Sequence, residues 1–386
     1  MPAFTPDAVR DLHEVLGGPD LEERLAAVER FAAASLPTTD EEIWRYSRIG
    51  ELDLDRFTPA AVHTVVTGGD AFLATGEGAD LDVIDGEPPD VFAGLNAAFM
   101  SPVVVRVPRG RAGFDPVVVT HHVDRDGAAV FPRLVIDAEP DSDVTVIERF
   151  VSADGVNALV VPVLQLRAQQ AARVRYLAVN ELGERVWQIG NQQAVGERDS
   201  STTLATVALG GDYARVRTEA RLSGAGASTR QVALYFAGGT QMHDFRTIQD
   251  HDAPHTTSDL LFKGAVQDRS RSVYTGMIKI REHARGTVAF QTNRNLTLSD
   301  GAWAESVPNL DIQTNDVKCS HASTVGPIDE DQRFYLESRG IQPRIAERLV
   351  VLGFFDEVLT QLPAGDLADE LRGRVAAKLH IGDESQ

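Results

Sequence analysis

The chain has 386 residues, 43% of them hydrophobic and 24% charged, the balance of an ordinary globular protein with about two to three domains. Its formal net charge of −20 argues against binding a nucleic-acid backbone, which requires Lys and Arg clusters, and against an anionic membrane surface. A single cysteine excludes an intrachain disulfide framework, zinc motifs of paired cysteines and an iron–sulfur cluster held by four thiolates of this chain alone.

The start, Met1-Pro2-Ala3-Phe4-Thr5-Pro6-Asp7, lacks the basic segment and apolar core of a signal peptide. No run approaches ~18 consecutive apolar residues, so the expectation is a cytoplasmic protein. The first ninety or so residues read mainly as helices. Asp20 and Glu23 form a capping-box pattern, Leu21, Leu25, Val28 and Ala32 recur at helical spacing, and Pro37 ends that helix. Trp44-Arg45-Tyr46 reads as an aromatic turn that packs on a neighbour. Asp85-Gly86-Glu87-Pro88-Pro89-Asp90 is a loop rich in breakers and a candidate boundary.

From about Ser101 the texture becomes short β-branched runs, such as Val103-Val104-Val105, Val117-Val118-Val119 and Leu134-Val135-Ile136, set apart by Gly, Pro and Asp. They continue to about residue 325, and no amphipathic helix interrupts them, which argues against a βαβ alternation. A sandwich, a barrel or a β-solenoid fits. Polar runs such as Gln291-Thr292-Asn293-Arg294-Asn295 lean towards the stacked ladders of a solenoid, although no clean repeat period is visible.

After Pro327 the chain turns helical. Asp329 with Gln332 marks an N-cap, Gly340 fits a C′ glycine, and Pro343 opens the next helix. That helix carries Ile345, Ala346, Leu349, Val350, Val351, Leu352, Phe354, Phe355, Val358 and Leu359, wider than the ~100° stripe of a surface helix. It is either wrapped by its own domain or docked on a partner.

Several chemistries are absent: no P-loop, no Gly-x-Gly-x-x-Gly after a strand, no His-Glu-x-x-His and no Gly-x-Ser-x-Gly. The expectation is a protein that is not itself an enzyme and has no ATP site of its own. His243, His251 and His255, with Asp244 and Asp252, read first as turn and ladder residues and only second as metal ligands. His121 and His122, adjacent on a strand, point to opposite faces. In Asp316-Val317-Lys318-Cys319-Ser320-His321, Cys319 and His321 share one face of a strand, and Lys318 beside them bears on the thiol pKa. Two ligands do not enclose a metal. Either Cys319 is a buried structural cysteine, or the pair is part of a site completed by another chain.

The segment Pro308-Asn309-Leu310-Asp311-Ile312 followed by Asp316 to Gly326 resembles the signature of the SufB/SufD family, and the similarity continues through Phe334 to Ile341 and Ala346 to Phe355. Phe262-Lys263-Gly264, Asp268 to Gly276, Trp44-Arg45-Tyr46 and Leu95 to Phe99 are similar to other stretches of the family. The resemblance covers most of the chain and is nearest to SufD, which has Val-Lys-Cys-Ser-His at this place. Ala322 stands where glycine is more usual.

The resemblance implies a right-handed parallel β-helix flanked by helical domains, with residues 1–95 N-terminal, 96–325 the β-helix core and 326–386 C-terminal. It implies a non-catalytic subunit of an iron–sulfur cluster assembly scaffold. Such a subunit pairs with SufB through the β-helix and with the SufC ATPase through the C-terminal helices, and a cysteine desulfurase supplies the sulfur. His321 matches the residue at the heterodimer interface and Cys319 its neighbour, so a transient iron–sulfur cluster would be shared with the partner chain there. Ile345, Leu349, Leu352, Phe354, Phe355 and Val358 would form the ATPase-docking helix. Reduced flavin is associated with such complexes, but no flavin fingerprint occurs in this sequence. Two alternatives are a homodimeric scaffold of the same family, separable by sedimentation with and without SufB, and a β-helix enzyme acting on polysaccharide, separable by glycan binding.

Overall fold

A computed structural model describes residues 3–17, 21–69, 72–74, 81, 83–113, 115–365 and 367–379. Its centre is a β-solenoid. Strands stack in parallel into one sheet of 12 strands and a second of 9, and from Pro132 onward the chain passes back and forth between them. Tyr213, Met242, Arg271 and Trp303 stack coil upon coil in the first sheet. Ser228, Thr257, Val288 and Lys318 do so in the second.

One backbone device repeats along the stack. Gly110, Asp141, Ala171, Asp199, Gly226, His255 and Gly286 all hold positive φ at equivalent turns. Each N–H in this column donates to a carbonyl one coil further on, from Asp141 to Gln170 (3.0 Å) through to Gly286 and Asp316 (2.8 Å). The left-handed conformation aims the N–H along the solenoid axis, so each turn is satisfied by the next.

The lumen is filled by alternate residues of each strand. In Ser228–Ala237, Ala233 and Tyr235 pack inward with Phe245, Phe262 and Tyr274, whereas Val232, Leu234 and Phe236 face outward beneath the C-terminal helices. One group of polar lumen residues pairs internally, whereas the amides of Gln231, Gln249 and Gln291 are buried without a hydrogen-bond partner among the described residues. Asn295 donates to Asn293 (2.7 Å), Asn293 donates to the Tyr235 hydroxyl (2.8 Å), and that hydroxyl donates to Asn295 (2.7 Å). Of the run from Gln291 to Asn295, only Asn293 and Asn295 take part in this network; Gln291 is buried without a partner among the described residues.

Helical layers cover the outer faces. Helix α1 (Pro6–Leu16) is capped by Thr5, α2 spans Leu21–Ala33, and α3 (Val91–Phe99) is capped by Asp90, whose carboxylate accepts from Phe92 and Ala93. They bury Phe4, Phe31, Phe92 and Phe99 with Trp44 against Phe131, Trp187, Tyr213 and Met242 of the 12-stranded sheet. The loop from Asp85 leads into α3, and apart from the two-residue strand Thr58–Pro59 the parallel strands begin at Ser101. Asp20 of the capping-box pattern lies outside the described residues. The N-terminal region also holds strands His63–Thr67 and Leu73–Ala74, each antiparallel to a solenoid strand, which composition did not reveal.

Helices α4 (Glu330–Ser338), α5 (Pro343–Leu359) and α6 (Leu367–Lys378) lie over the 9-stranded sheet. Asp329 caps α4 by accepting from Asp331 and Gln332, Gly340 (φ 84°) closes it with Ile341 bonded back to Leu336, and Pro343 stands in the first turn of α5. Among the described residues no helix is long and apolar enough to cross a membrane.

Candidate functional site: an open solenoid end

The two sheets terminate in Trp303–Ile312 and Val317–Gly326, each hydrogen-bonded to a neighbouring strand on one side only. Among the described residues nothing caps the lumen here. Ile278 and Ile280 are fully buried, yet Leu310 and Ile312, stacked directly on them, are 40% and 39% exposed. Gln291, Asn293 and Asn295 are buried, whereas His321, Ser323 and Val325 above them are exposed. Ser323 Oγ donates across the lumen to Ser306 Oγ at 2.7 Å, joining the two sheets at this rim. Two edge strands and an exposed apolar lumen are what a solenoid presents where a cap or another molecule belongs. Pro308 interrupts the donor row of one edge, which restricts the strands that can add to it.

Cys319 and His321 sit on this rim. Cys319 stacks on Ala289 and packs partly against Ile278 and Ile280, while His321 stacks on Gln291 and is exposed. Burial raises the Cys319 thiol above its ordinary pKa, and Lys318 on the opposite face does not offset this. The thiol is therefore protonated at neutral pH until a metal or base displaces the proton. No hydrogen bond restrains either side chain among the described residues, and no group of three His, Cys, Asp or Glu is assembled there or elsewhere. What this chain offers is two soft donors, side by side and open on one side.

The other histidines are engaged. His251 lies between Thr256 (2.7 Å) and Ser258 (2.8 Å), both ring nitrogens occupied, and burial lowers its pKa to about 4. His243 bonds the Gly210 carbonyl at 3.1 Å, and burial together with Lys378 lowers its pKa to about 3. His255 is a member of the turn column. Asp244 joins Arg215 and Arg246 at 2.8 and 2.7 Å, and Asp252 pairs with Arg281 and His283. Inside the lumen His121 bridges Thr64 (2.9 Å) and Glu148 (3.0 Å), while His122 lies on the other face against His63. These residues do not converge on one point.

The apolar residues of α5 divide. Phe355 and Val358 are fully buried against the solenoid, with Phe355 5.9 Å from Phe236, and Leu352 is partly buried on the same core. As a docking face for another protein the helix is therefore narrower than its sequence implies, because these residues are consumed by its own fold. Ile345 and Leu349 remain exposed, and α4 adds Phe334 and Tyr335. Phe354 lines a groove of about 770 Å³ between α4, α5 and the sheet, together with Leu349, Tyr335, Lys263 and Arg294.

Residues 121–354, which include the open coil and both donors, match the family model for the SUF system FeS cluster assembly SufBD core domain. The chain belongs to the SufBD family. It is 31% identical over 373 residues to an iron–sulfur cluster assembly SufBD family protein of Mycobacterium tuberculosis, covering 92% of each chain. It is 24% identical to the iron–sulfur cluster assembly protein SufD of Escherichia coli, over 92% of each, and 29% identical to SufD of Bacillus subtilis, over 71% of this chain and 63% of that one. The family it belongs to is that of iron–sulfur cluster assembly in the SUF system. For this SufBD family chain the sequence reading named Cys319 and His321 but missed Leu310, Ile312, Ser306 and Ser323, which share their rim. Strand parity alone would have found Ser323; the others belong to the facing sheet.

Proposed function

We propose that this chain is a non-catalytic SufD-type subunit that pairs through its open solenoid end with a SufB-type solenoid, in the cytoplasm. The observation that carries this reading is the uncapped final coil, where residues that are buried one coil earlier are exposed beside an imidazole and a thiol. The cluster is cargo: the rim supplies His321, with Cys319 next to it, and the partner supplies the remaining ligands, imidazole being an accepted substitute for thiolate. A SufC-type ATPase docks on the exposed face of α4 and α5, around Phe334, Tyr335, Ile345 and Leu349, and a cysteine desulfurase feeds sulfur to the assembly. Supporting this, Tyr335 and Leu349 are exposed and line a groove on helices already anchored to the solenoid, and Phe334 and Ile345 are exposed on the same two helices.

The test is replacement of the gene by a His321→Ala variant, with activity of iron–sulfur enzymes as readout and circular dichroism of the purified protein as a fold control. Lost maturation with an unchanged spectrum supports the reading. Normal maturation removes His321 from it.

A further inference from the structure

Tyr46 has φ 65°, a left-handed conformation disfavoured for a bulky residue, and its side chain is 46% exposed. The segment before it is gripped by a charged network with almost no access to solvent. Arg246 donates to the Arg45 carbonyl at 2.6 Å and Arg215 to the Ile43 carbonyl at 2.9 Å. Both arginines pair with Asp244, which also accepts from the Tyr213 hydroxyl at 2.9 Å, and the Arg215 guanidinium lies 3.9 Å from the Trp44 ring centre. The outcome is that the Tyr46 ring stands 6.0 Å from Trp303, at 59°, and Trp303 is itself 38% exposed. Trp303 is the first residue of an edge strand of the open coil.

A strained turn held by buried ions, with its aromatic side chain left in water, is not explained by the protein's own core. We infer that Tyr46 and Trp303 form an aromatic anchor that the SufB-type partner solenoid contacts at the edge strand of the open coil. This rests on the pairing proposed above. The occupant follows from continuity with that open end: a partner solenoid that adds to the free edge of Trp303–Ile312 must pass the Trp303 ring on the sheet's outer face. Tyrosine and tryptophan are also the side chains that dominate binding at interface centres and anchors.

The experiment measures affinity of the full-length chain for the SufB-type subunit of the same organism by sedimentation equilibrium. Trp303→Ala should weaken pairing roughly 10- to 100-fold. Tyr46→Gly keeps the positive-φ backbone and removes only the ring, so it should weaken pairing to a similar degree with no loss of thermal stability. The double variant should lose less than the product of the two. Leu310→Asp, which charges the open lumen, serves as the control for the underlying reading. If Leu310→Asp abolishes pairing while Tyr46→Gly and Trp303→Ala bind as wild type, the anchor is wrong and the pairing stands. If all three bind as wild type, both fall.

Discussion

Lys263 Nζ, buried in the sheet, donates at 2.9 Å to the carbonyl of Phe354 in the middle of α5, lies 4.5 Å from the Phe354 ring centre and pairs with Glu357. A cation that extends the solenoid's grip by one side chain thus fixes α5 to the strand Thr257–Val266, two strands from the open rim. Lys263 is almost inaccessible whereas Glu357 is half exposed, so the two partners are unequal. Lys263→Ala should cost about 2–4 kcal/mol in urea unfolding and speed proteolysis within α5, because packing and a charge-assisted bond are both lost. Glu357→Gln should cost less than about 1 kcal/mol, because solvent screens that end of the pair.

Gly264 follows Lys263, and a Cβ there would lie 1.9 Å from the Tyr235 ring. That ring is held by its hydroxyl between Asn293 and Asn295, so it has nowhere to retreat. Gly264→Ala is therefore expected to destabilise by roughly 2–3 kcal/mol through overpacking. Tyr235→Phe alone, which removes a hydroxyl, should cost about 1–2 kcal/mol. Lining up both variants by urea midpoint checks the order.

Acid sensitivity follows from His243 and His251, which the fold keeps neutral down to about 3 and about 4. The unfolded chain protonates both near pH 6.5, so below that pH it binds more protons than the native state. Stability contributed by these groups is complete above pH 6.5 and is lost progressively as pH falls towards 4, by an amount on the order of several kcal/mol. Unfolding free energies measured from pH 7 to 4.5 should decline in wild type, and less steeply in His251→Asn.

Cys319 is predicted to be a sluggish thiol, since burial raises its pKa and no cation lowers it. At pH 7 it should react with iodoacetamide more slowly than free cysteine, and the rate should keep climbing above pH 9. A fast, pH-independent reaction would show a preformed thiolate instead.

The termini of α4, the opening proline of α5 and the Cys319–His321 pairing on one strand face were legible from local rules, because caps and strand parity act within a few residues. The solenoid was only a lean. Its coils step by 26 residues between Trp187 and Tyr213 but by 32 between Arg271 and Trp303, so no fixed period marks the sequence. The turn column is equally hidden, as Gly, Asp, Ala and His all occupy it. Exposure at the rim was out of reach for another reason: Leu310 and Ile312 look like core, and only their place in the last coil leaves them uncovered. The width of α5 misled in the opposite direction, since Phe355 and Val358 serve the chain's own core.

We propose that the open end is half of a site. It is tested most directly by anaerobic reconstitution with ferrous iron and sulfide, followed by visible absorption. The samples are the chain alone, its co-expressed complex with a SufB-type subunit, and that complex carrying His321→Ala. Cluster absorption is expected in the wild-type complex, none in the isolated chain, and a large loss in the variant complex at unchanged subunit stoichiometry. A stable cluster on the isolated chain, or an undiminished one in the His321→Ala complex, would contradict it.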